Sequence, residues 1–314
     1  MRVLVTGARG MLGAAVARAL AARGDAVTVL QRGPSGLPLP EVRADLGDPR
    51  APLAEALSGH DAVVHLAAKV DVAGPWPEYR RTNVDGTRAL LAAARSAGVT
   101  RFVHVSSPSV AHAGSALVGA PAGVADPARA RGHYARSKAL AEQVALAAAS
   151  RALAVVAIRP HLVWGPGDPQ LVGRIVARAR AGRLPVVGTG TALIDTTYVD
   201  NAVDALVAAL DRAPEISGHA FVVSNGEPRP VAELVASICA ASGVAPPRIA
   251  VPARLARAAG AVVELLVRHD PPMTRFLAEQ LSTAHWFDQR ATRAALRWTP
   301  RVGLDEGFAR LRAG

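Results

Sequence analysis

The stretch that decides the fold is Val3-Leu-Val-Thr-Gly-Ala-Arg-Gly-Met-Leu-Gly13. An apolar run of strand length precedes its glycines, and apolar residues at helical spacing continue after them. A sharp turn from strand to helix presents free backbone N–H groups and the positive end of the helix dipole at one place. Gly7 permits the tight turn, Gly10 lets a phosphate approach the backbone, and Gly13 lets the helix pack closely on the sheet. The stretch therefore predicts a dinucleotide-binding site.

The length and composition of the chain narrow its class. With 314 residues, it is long enough for one large α/β domain or two lobes. No segment reaches the roughly 18 uninterrupted apolar residues that a membrane span needs. The single cysteine, Cys239, cannot form an intrachain disulfide and fits a reducing compartment. We therefore expect a cytoplasmic protein without a membrane span.

The net charge of +11 raises the question of nucleic-acid binding. Only Lys69 and Lys138 are lysines, and the arginines are spread along the chain without a basic run. No aromatic platform accompanies them. We interpret most of the excess charge as solvated surface that helps to attract an anionic cofactor or substrate, and we predict no nucleic-acid partner.

Strands and helices alternate regularly up to Pro160, which predicts a doubly wound parallel sheet. The rhythm breaks after Pro160, and helices dominate from Pro230 onward. We predict a dinucleotide-binding domain formed by residues 1–160 and 195–224. A smaller, mainly helical substrate-binding lobe would comprise residues 161–194 and 225–314. The segment from Pro108 to Gly132 is long enough to be a functional loop.

The end of the second strand bears on the choice of cofactor. Gln31 stands where a fold that prefers NAD would place an acidic residue against the ribose 2′-hydroxyl. Arg32 follows at once, and Arg9 lies inside the glycine turn. A neutral residue and two cations favour NADP(H), with NAD(H) as the alternative; exposed arginines without a ligand would also explain them. Asp45 and Leu46 end the third strand, in position for an adenine contact.

Tyr134 and Lys138 are four residues apart on a predicted helix, so they share one face. An ammonium group beside a phenol favours the phenolate, and we expect Lys138 to lower the pKa of Tyr134. Such a tyrosine can exchange a proton with a carbonyl oxygen while a hydride moves at the carbon. Ser107, at the end of the fifth strand, can donate a hydrogen bond to the same oxygen.

Five motifs follow one another along the chain: Thr6-Gly-Ala-Arg-Gly-Met-Leu-Gly13, His65-Leu-Ala-Ala68, Asn83-Val-Asp-Gly-Thr87, Ser106-Ser107 and Tyr134-Ala-Arg-Ser-Lys138. With these motifs the chain resembles the extended short-chain dehydrogenase/reductase family. The resemblance implies a Rossmann sheet and an NAD(P)-dependent oxidoreductase. It implies Ser107, Tyr134 and Lys138 as catalytic residues, supported by Asn83. The predicted cofactor-binding residues are Gly7, Arg9, Gly10, Met11, Leu12, Gly13, Gln31, Arg32, Asp45, Leu46, Leu66, Ala67, Ala68, Tyr134, Lys138 and Pro160.

Later segments resemble one branch of that family. Arg159-Pro-His161 through Gly165-Pro-Gly-Asp168 is similar to the corresponding segment of the 3β-hydroxysteroid dehydrogenase and sterol-4α-carboxylate 3-dehydrogenase branch. Sugar dehydratases carry an Asp-Glu pair where this chain has Pro108-Ser109. Sugar-nucleotide epimerases carry an arginine where this chain has Ile194. These features imply oxidation or reduction at a 3-hydroxy or 3-oxo carbon of a largely apolar substrate, of the 2-alkyl-3-oxo acid or 3β-hydroxysteroid type.

The predicted substrate-contacting residues are His161, Ile194 and Arg275. His161 could equally have a packing role. The spacing of the nine histidines favours no metal site. We expect Trp286-Phe287 to anchor the last helices rather than contact a ligand. Three other functions stay open: a sugar-nucleotide epimerase, a non-catalytic NADP-sensing protein and, least favoured by the charge pattern, a nucleic-acid binder. A homodimer is a possible assembly.

Overall fold

The computed structural model describes residues 1–70, 74–111, 115–266 and 275–313. The strands are β1 Arg2–Thr6, β2 Ala26–Gln31, β3 Glu41–Arg43, β4 Ala62–His65, β5 Arg101–Val105, β6 Leu117–Ala120, β7 Ala154–Pro160, β8 Val163–Trp164, β9 Val186–Val187, β10 Leu193–Ile194, β11 Thr197–Tyr198, β12 Ala220–Val223, β13 Arg229–Pro230, β14 Ala250–Val251 and β15 His285–Phe287. The helices are α1 Met11–Ala22, α2 Leu53–Leu57, α3 Trp76–Tyr79, α4 Gly86–Ser96, α5 Gly132–Ala147, α6 Val172–Arg180, α7 Val199–Arg212, α8 Val231–Ala241, α9 Ala253–Leu266, α10 Arg275–Ser282, α11 Arg290–Leu296 and α12 Leu304–Ala313.

Seven parallel strands form the central sheet in the order β12-β7-β5-β4-β1-β2-β3. The chain moves outward from β1 in one direction through β2 and β3, and then returns to build the other half from β4. The strand order therefore reverses beside β1, and ligands of doubly wound sheets bind at such a switch point. The predicted fold class is confirmed, and the glycine-rich turn after β1 lies at this switch point.

Apolar side chains cover both faces of the central sheet. On one face, Val3 and Val5 of β1 pack with Val16 of α1 and Leu206 of α7. On the other face, Leu4 packs with residues of α2, α4 and α5. Alternate residues of β1 thus enter two separate cores, which is the pattern of a parallel strand buried on both sides. These two layers of helices hold the strand ends, and with them the site, in place.

Short strands from distant parts of the chain form smaller sheets beside the central one. The largest has the order β13-β10-β15-β6. Strand β6 lies within the segment that we predicted to be a loop, and it pairs with β15, more than 160 residues later in the chain. The lobe therefore contains sheet as well as helix, and residues 117–120 of the predicted dinucleotide domain are paired with it. The domain boundaries stay a prediction.

A π-helical turn, Arg80–Asp85, joins α3 to α4. The periodicity from Thr82 to Ala97 predicts one α-helix, but the regular α-helix begins only at Gly86. A π-turn holds one more residue per turn than an α-helix and is frequent at functional sites. Here it contains the buried Asn83.

Within the described part of the chain, no helix is both long enough and apolar enough to cross a membrane. The cytoplasmic location and the homodimer stay predictions from the sequence.

Candidate active site

The glycine-rich turn leaves no space for side chains. Gly7 has a φ of 78°, and a Cβ atom there would lie 2.7 Å from the backbone nitrogen of Ala67. A Cβ atom at Gly13 would overlap the carbonyl group of Gly7. Gly10 lies at the open side of the turn and is the N-cap of α1. The turn is tightly closed at Gly7 and Gly13 and open at Gly10, which fits a group that binds directly to backbone N–H groups, as a pyrophosphate does.

A directed chain of hydrogen bonds fixes the loop that follows β4. Ala67 N–H donates to Thr6 Oγ1 at 3.0 Å, and Thr6 Oγ1 lies 2.8 Å from His65 Nδ1. On the other side of the ring, His65 Nε2 lies 2.9 Å from Thr87 Oγ1, which donates to the carbonyl of Asn83 at 2.6 Å. The Thr87 proton is committed to that carbonyl, so His65 carries its proton on Nε2 and accepts at Nδ1. Burial lowers the pKa of His65 to about 3, which makes it a neutral structural residue rather than a base.

Asn83 connects this loop to the helix that carries Tyr134. Its Oδ1 accepts from the backbone N–H of Lys69 at 2.7 Å, and its Nδ2 donates to Ser137 Oγ at 2.8 Å. Ser137 in turn donates to the carbonyl of Tyr134 at 2.8 Å. Asn83 is 1% exposed and does not line the cavity described below. Asn83 thus ties the loop after β4 to α5, and its role in support of the catalytic residues stays a prediction.

Ser107, Tyr134 and Lys138 meet where the sequence predicts, at the carboxyl end of β5 beside the face of α5. Ser107 Oγ lies 2.9 Å from Ser109 Oγ. Lys138 is buried and donates from Nζ to the carbonyl of Val105 at 2.6 Å. Burial lowers the pKa of Lys138 to about 8, and Glu142 partly opposes that shift.

The predicted effect of Lys138 on the pKa of Tyr134 is wrong. Burial raises the pKa of Tyr134, and the Ser107 hydroxyl is the group that opposes this shift. Lys138 bonds to the Val105 carbonyl instead, so its charge is directed to the backbone of β5. The phenol of Tyr134 is therefore protonated at neutral pH and suited to donate a proton.

A cavity of about 360 Å³ opens at these residues and is mostly apolar. Its lining consists of Ser107, Pro108, Ser109, Leu117, Tyr134, Pro160, His161, Leu162, Leu171, Ile194, Gln280, Leu281, His285 and Phe287. No lysine, arginine, aspartate or glutamate is among these described lining residues. Two of the predicted substrate residues, His161 and Ile194, and the predicted cofactor residue Pro160 are in this set. The side chain of the third substrate residue, Arg275, lies outside the described residues.

Two histidines form one wall of the cavity. His285 Nε2 donates to the carbonyl of Gln280 at 2.8 Å, which leaves His285 Nδ1 as the acceptor of a 2.9 Å bond from His161 Nε2. The ring of Phe287 meets that of His161 edge-on at 5.1 Å. Phe287 also lines the cavity, so its predicted anchoring role does not keep it away from this space. His285 was not predicted from the sequence, because it lies 124 residues from its partner His161 and no local pattern marks it.

A buried ion pair supports the far side of α5. Arg159, at the end of β7, bonds Glu142 through both Nε and Nη2, at 2.8 and 2.5 Å, and both side chains are 1% exposed. Arg159 also donates to the carbonyl of Ala122 and, at 3.2 Å, to that of Gly123. The pair fixes the segment after β6 against α5, one helical turn from Lys138. The sequence did not predict this pair; its only signal was one charged residue, Arg159, in the otherwise apolar β7.

The end of β2 carries the residues predicted to choose the cofactor. Arg9 and Arg32 are both exposed, and Arg9 Nη1 would lie 3.6 Å from a Cβ on Gly33. Neither arginine has a carboxylate partner within the described residues. Gln31 is buried and donates to Glu41 at 3.2 Å. Glu41 is also bound by Arg43 at 2.8 Å, which balances its charge.

Asp45 and Leu46, the residues predicted to contact adenine, have side chains with turn and packing roles in the structure. Asp45 Oδ1 accepts from the backbone N–H of Gly47 at 2.9 Å. Leu46 is 6% exposed and packs in the core beside Gly86. Backbone atoms of these residues remain our candidates for adenine.

Comparison with known proteins now adds to the geometry. The model of the NAD dependent epimerase/dehydratase family matches residues 3–224. The chain belongs to this family. It is 43% identical to a 2-alkyl-3-oxoalkanoate reductase from Stenotrophomonas maltophilia (strain K279a), covering 100% of this chain and 99% of that protein. It is 30% identical to the sterol-4-alpha-carboxylate 3-dehydrogenase (decarboxylating) of Homo sapiens, covering 98% of this chain and 87% of that one.

A solved structure completes the comparison. MoeE5 in complex with UDP-glucose and NAD superimposes with a TM-score of 0.76 at 29% identity, covering 100% of this chain and 98% of that one. Together these relatives show an NAD-dependent oxidoreductase of the extended short-chain dehydrogenase/reductase family, as the motifs predict. The fold is thus shared by enzymes of sugar nucleotides and of apolar acids or sterols.

Proposed function

We propose that this chain reduces the 3-oxo group of 2-alkyl-3-oxo acids to a hydroxyl group. The observation that carries the proposal is the cavity, where Ser107 and Tyr134 open into a space lined mainly by aliphatic and aromatic side chains. Each Å² of apolar surface removed from water contributes about 25 cal/mol. Alkyl chains supply such surface, whereas a sugar diphosphate does not. The name of the 43% identical relative supports the same substrate class.

The catalytic roles follow from the hydrogen bonds. Tyr134 donates its proton to the carbonyl oxygen, which the raised pKa of its phenol allows. Ser107 donates a hydrogen bond to that oxygen, while Ser109 is close enough to orient the Ser107 hydroxyl. Lys138 holds α5 against the end of β5 through the Val105 carbonyl, and Asn83 fixes the helix through Ser137. A bound nicotinamide supplies the hydride chemistry, and Gly7, Gly10 and Gly13 would hold its pyrophosphate.

The substrate carboxylate needs a partner near the reacting carbon. His161 and His285 are the polar side chains of the opposite wall and are held by each other and by the Gln280 carbonyl. Arg275 remains our proposal for the cation that binds this carboxylate.

A second candidate function is a reaction on a sugar nucleotide, because MoeE5 was solved with UDP-glucose. The lining argues against it: Ile194 stands in place of a cation and is 3% exposed inside an apolar core. A diphosphate bound there would lack a charge-assisted partner.

The deciding experiment is a cofactor-linked screen of three substrate classes. Since 3-oxo acids lose carbon dioxide readily, the enzyme would be assayed in the oxidative direction with 2-alkyl-3-hydroxy acids, 3β-hydroxysteroids and UDP-sugars. We expect nicotinamide reduction with the 2-alkyl-3-hydroxy acids. Turnover of UDP-sugars alone would disprove the proposal, and cofactor binding without turnover of any class would favour the sensing protein.

We further propose that NADP(H) is preferred over NAD(H). Arg9 and Arg32 are exposed near the end of β2, where a 2′-phosphate would lie. Position 31 at the end of this strand holds the neutral Gln31, so no carboxylate there would repel the phosphate. Arg32→Ala should weaken the binding of NADPH by about 1.5–3 kcal/mol, the contribution of a hydrogen bond to a charged group, and leave the binding of NADH unchanged. Titration of the protein fluorescence measures both affinities. Arg18→Ala, an exposed arginine on α1, is the control; an equal loss in both variants would contradict a phosphate contact.

A further inference from the structure

A second cavity lies behind the apolar wall of the catalytic cavity. It measures about 140 Å³ and is enclosed by α6, α8 and the segment around β9. Its apolar lining residues are Leu171, Ile175, Leu184, Pro185, Val186, Val187, Val231, Ala232, Val235, Pro247 and Leu281. An apolar cavity of ~150 Å³ is large enough to bind a benzene-sized ligand.

The two cavities share part of their walls. Leu171, just before α6, and Leu281, in α10, line both of them. Both side chains are only partly buried, so each keeps apolar surface facing the two spaces. The two cavities therefore adjoin at two leucine side chains, and none of the described residues that line both of them is charged.

We propose that the second cavity binds the distal end of one alkyl chain of the substrate. This proposal rests on the proposed function, because it assigns a place to a chain whose head group reacts at Ser107 and Tyr134. A 2-alkyl-3-oxo acid carries two chains that diverge at the reacting centre. One chain extends between Leu171 and Leu281 into the second cavity, and the other stays in the catalytic cavity.

The lining fits a hydrocarbon end better than a polar one. Val187 and Val231 are almost fully buried, and Ile175 and Val235 are half-buried against the same core. The polar lining residues are Gln170, Arg174 and Arg178, on or next to one face of α6. Long arginine side chains cover apolar surface with their stems, so such residues can border an apolar cavity.

A substitution that fills the second cavity and leaves the catalytic cavity unchanged tests the proposal. Val235 lines only the second cavity, so Val235→Trp should exclude the chain end while Ser107 and Tyr134 are unchanged. Two homologous substrates are compared in the oxidative assay, one with methyl branches and one with decyl branches. We expect kcat/KM for the decyl substrate to fall at least about tenfold, the effect of losing roughly two buried methylene groups, and the methyl substrate to stay within about twofold.

Matched variants separate this effect from a general loss of structure. Val207→Trp, at a half-buried position of α7 that lines neither cavity, should leave the preference for chain length unchanged. Ile175→Ala enlarges the second cavity and should shift the preference toward longer chains, also if Val235→Trp fails to fold. An unchanged chain-length preference in Ile175→Ala and in folded Val235→Trp would overturn the chain site and leave the proposed reductase intact. If the unmodified enzyme accepts neither substrate, the proposed function fails and this proposal fails with it.

Discussion

The two walls of the catalytic cavity are built in different ways. One wall is the edge of the central sheet with α5, and its Ser107 and Tyr134 come from elements that a contiguous motif predicts. The other wall consists of Leu117, Ile194, His285 and Phe287, from three short strands that are far apart in the chain. In the proposed reaction the first wall transfers the proton, and the second selects the substrate. Under this proposal, reaction type and substrate choice are encoded in separate parts of the sequence.

The largest effect should come from removing the proton donor of the first wall. Tyr134→Phe keeps the ring but removes the hydroxyl, and we expect kcat to fall about 10²–10⁴-fold, the usual contribution of general acid–base catalysis. The melting temperature and the affinity for the cofactor should change little. Steady-state kinetics with any accepted substrate measures this, and near-normal turnover would remove Tyr134 from the mechanism.

The free energy of unfolding should depend on pH through Asp195, which directly follows Ile194 of the second wall. Burial raises the pKa of Asp195 to about 6 from its ordinary 3.8, and Ser224 Oγ donates to it at 2.5 Å. Because the folded state holds this proton more tightly than the unfolded one, the stability contributed by Asp195 is complete below pH 3.8 and is lost as the pH rises through about 6. The loss amounts to about 3 kcal/mol at most.

Urea unfolding of the wild type and of Asp195→Asn at several pH values tests this. The free energy of unfolding of the wild type minus that of the variant should fall as the pH rises from 3.8 to about 6. Asp288→Asn is the control with the opposite sign, because bonds from Arg290 lower the pKa of Asp288, which is half-buried, to about 2. If the free energies of unfolding of the wild type and of Asp195→Asn change with pH in parallel, Asp195 does not titrate in this range.

A smaller effect is expected when a charge is placed in the second wall. Ile194→Arg puts an unpaired cation at a position that is 3% exposed, and KM for an apolar substrate should rise about tenfold because burying such a charge is unfavourable. Leu193→Arg is the matched control, since Leu193 lies next to Ile194 on the same strand, is 37% exposed and does not line the cavity. Equal KM values for the two variants would show that the position of the charge does not matter.

Much of the first wall was predictable from the sequence. The strand–turn–helix pattern at Gly7 and the four-residue spacing of Tyr134 and Lys138 depend only on local geometry, and both describe the structure well. The direction of the pKa shift at Tyr134 was not predictable, because it depends on burial and on where Lys138 Nζ finds an acceptor. Spacing along a helix gives proximity, whereas hydrogen-bond partners depend on tertiary packing.

The second wall could not be predicted for a related reason. Strands such as Leu193–Ile194 have two residues, which is too short for an alternating pattern to appear. Ile194 was identified only because it departs from the pattern of relatives, and His285 carries no such signal. Pairing between β6 and β15 spans most of the chain, so it becomes visible only in three dimensions.

The π-helical turn at Arg80–Asp85 makes the number of residues before α4 as important as their identity. Each residue of an α-helix turns the chain by ~100°. Deleting one residue within this turn would restore an ordinary helix and rotate Asn83 away from both Lys69 and Ser137, although every side chain of the site would still be present. Natural insertions and deletions should therefore avoid this turn, even where its exposed side chains vary freely.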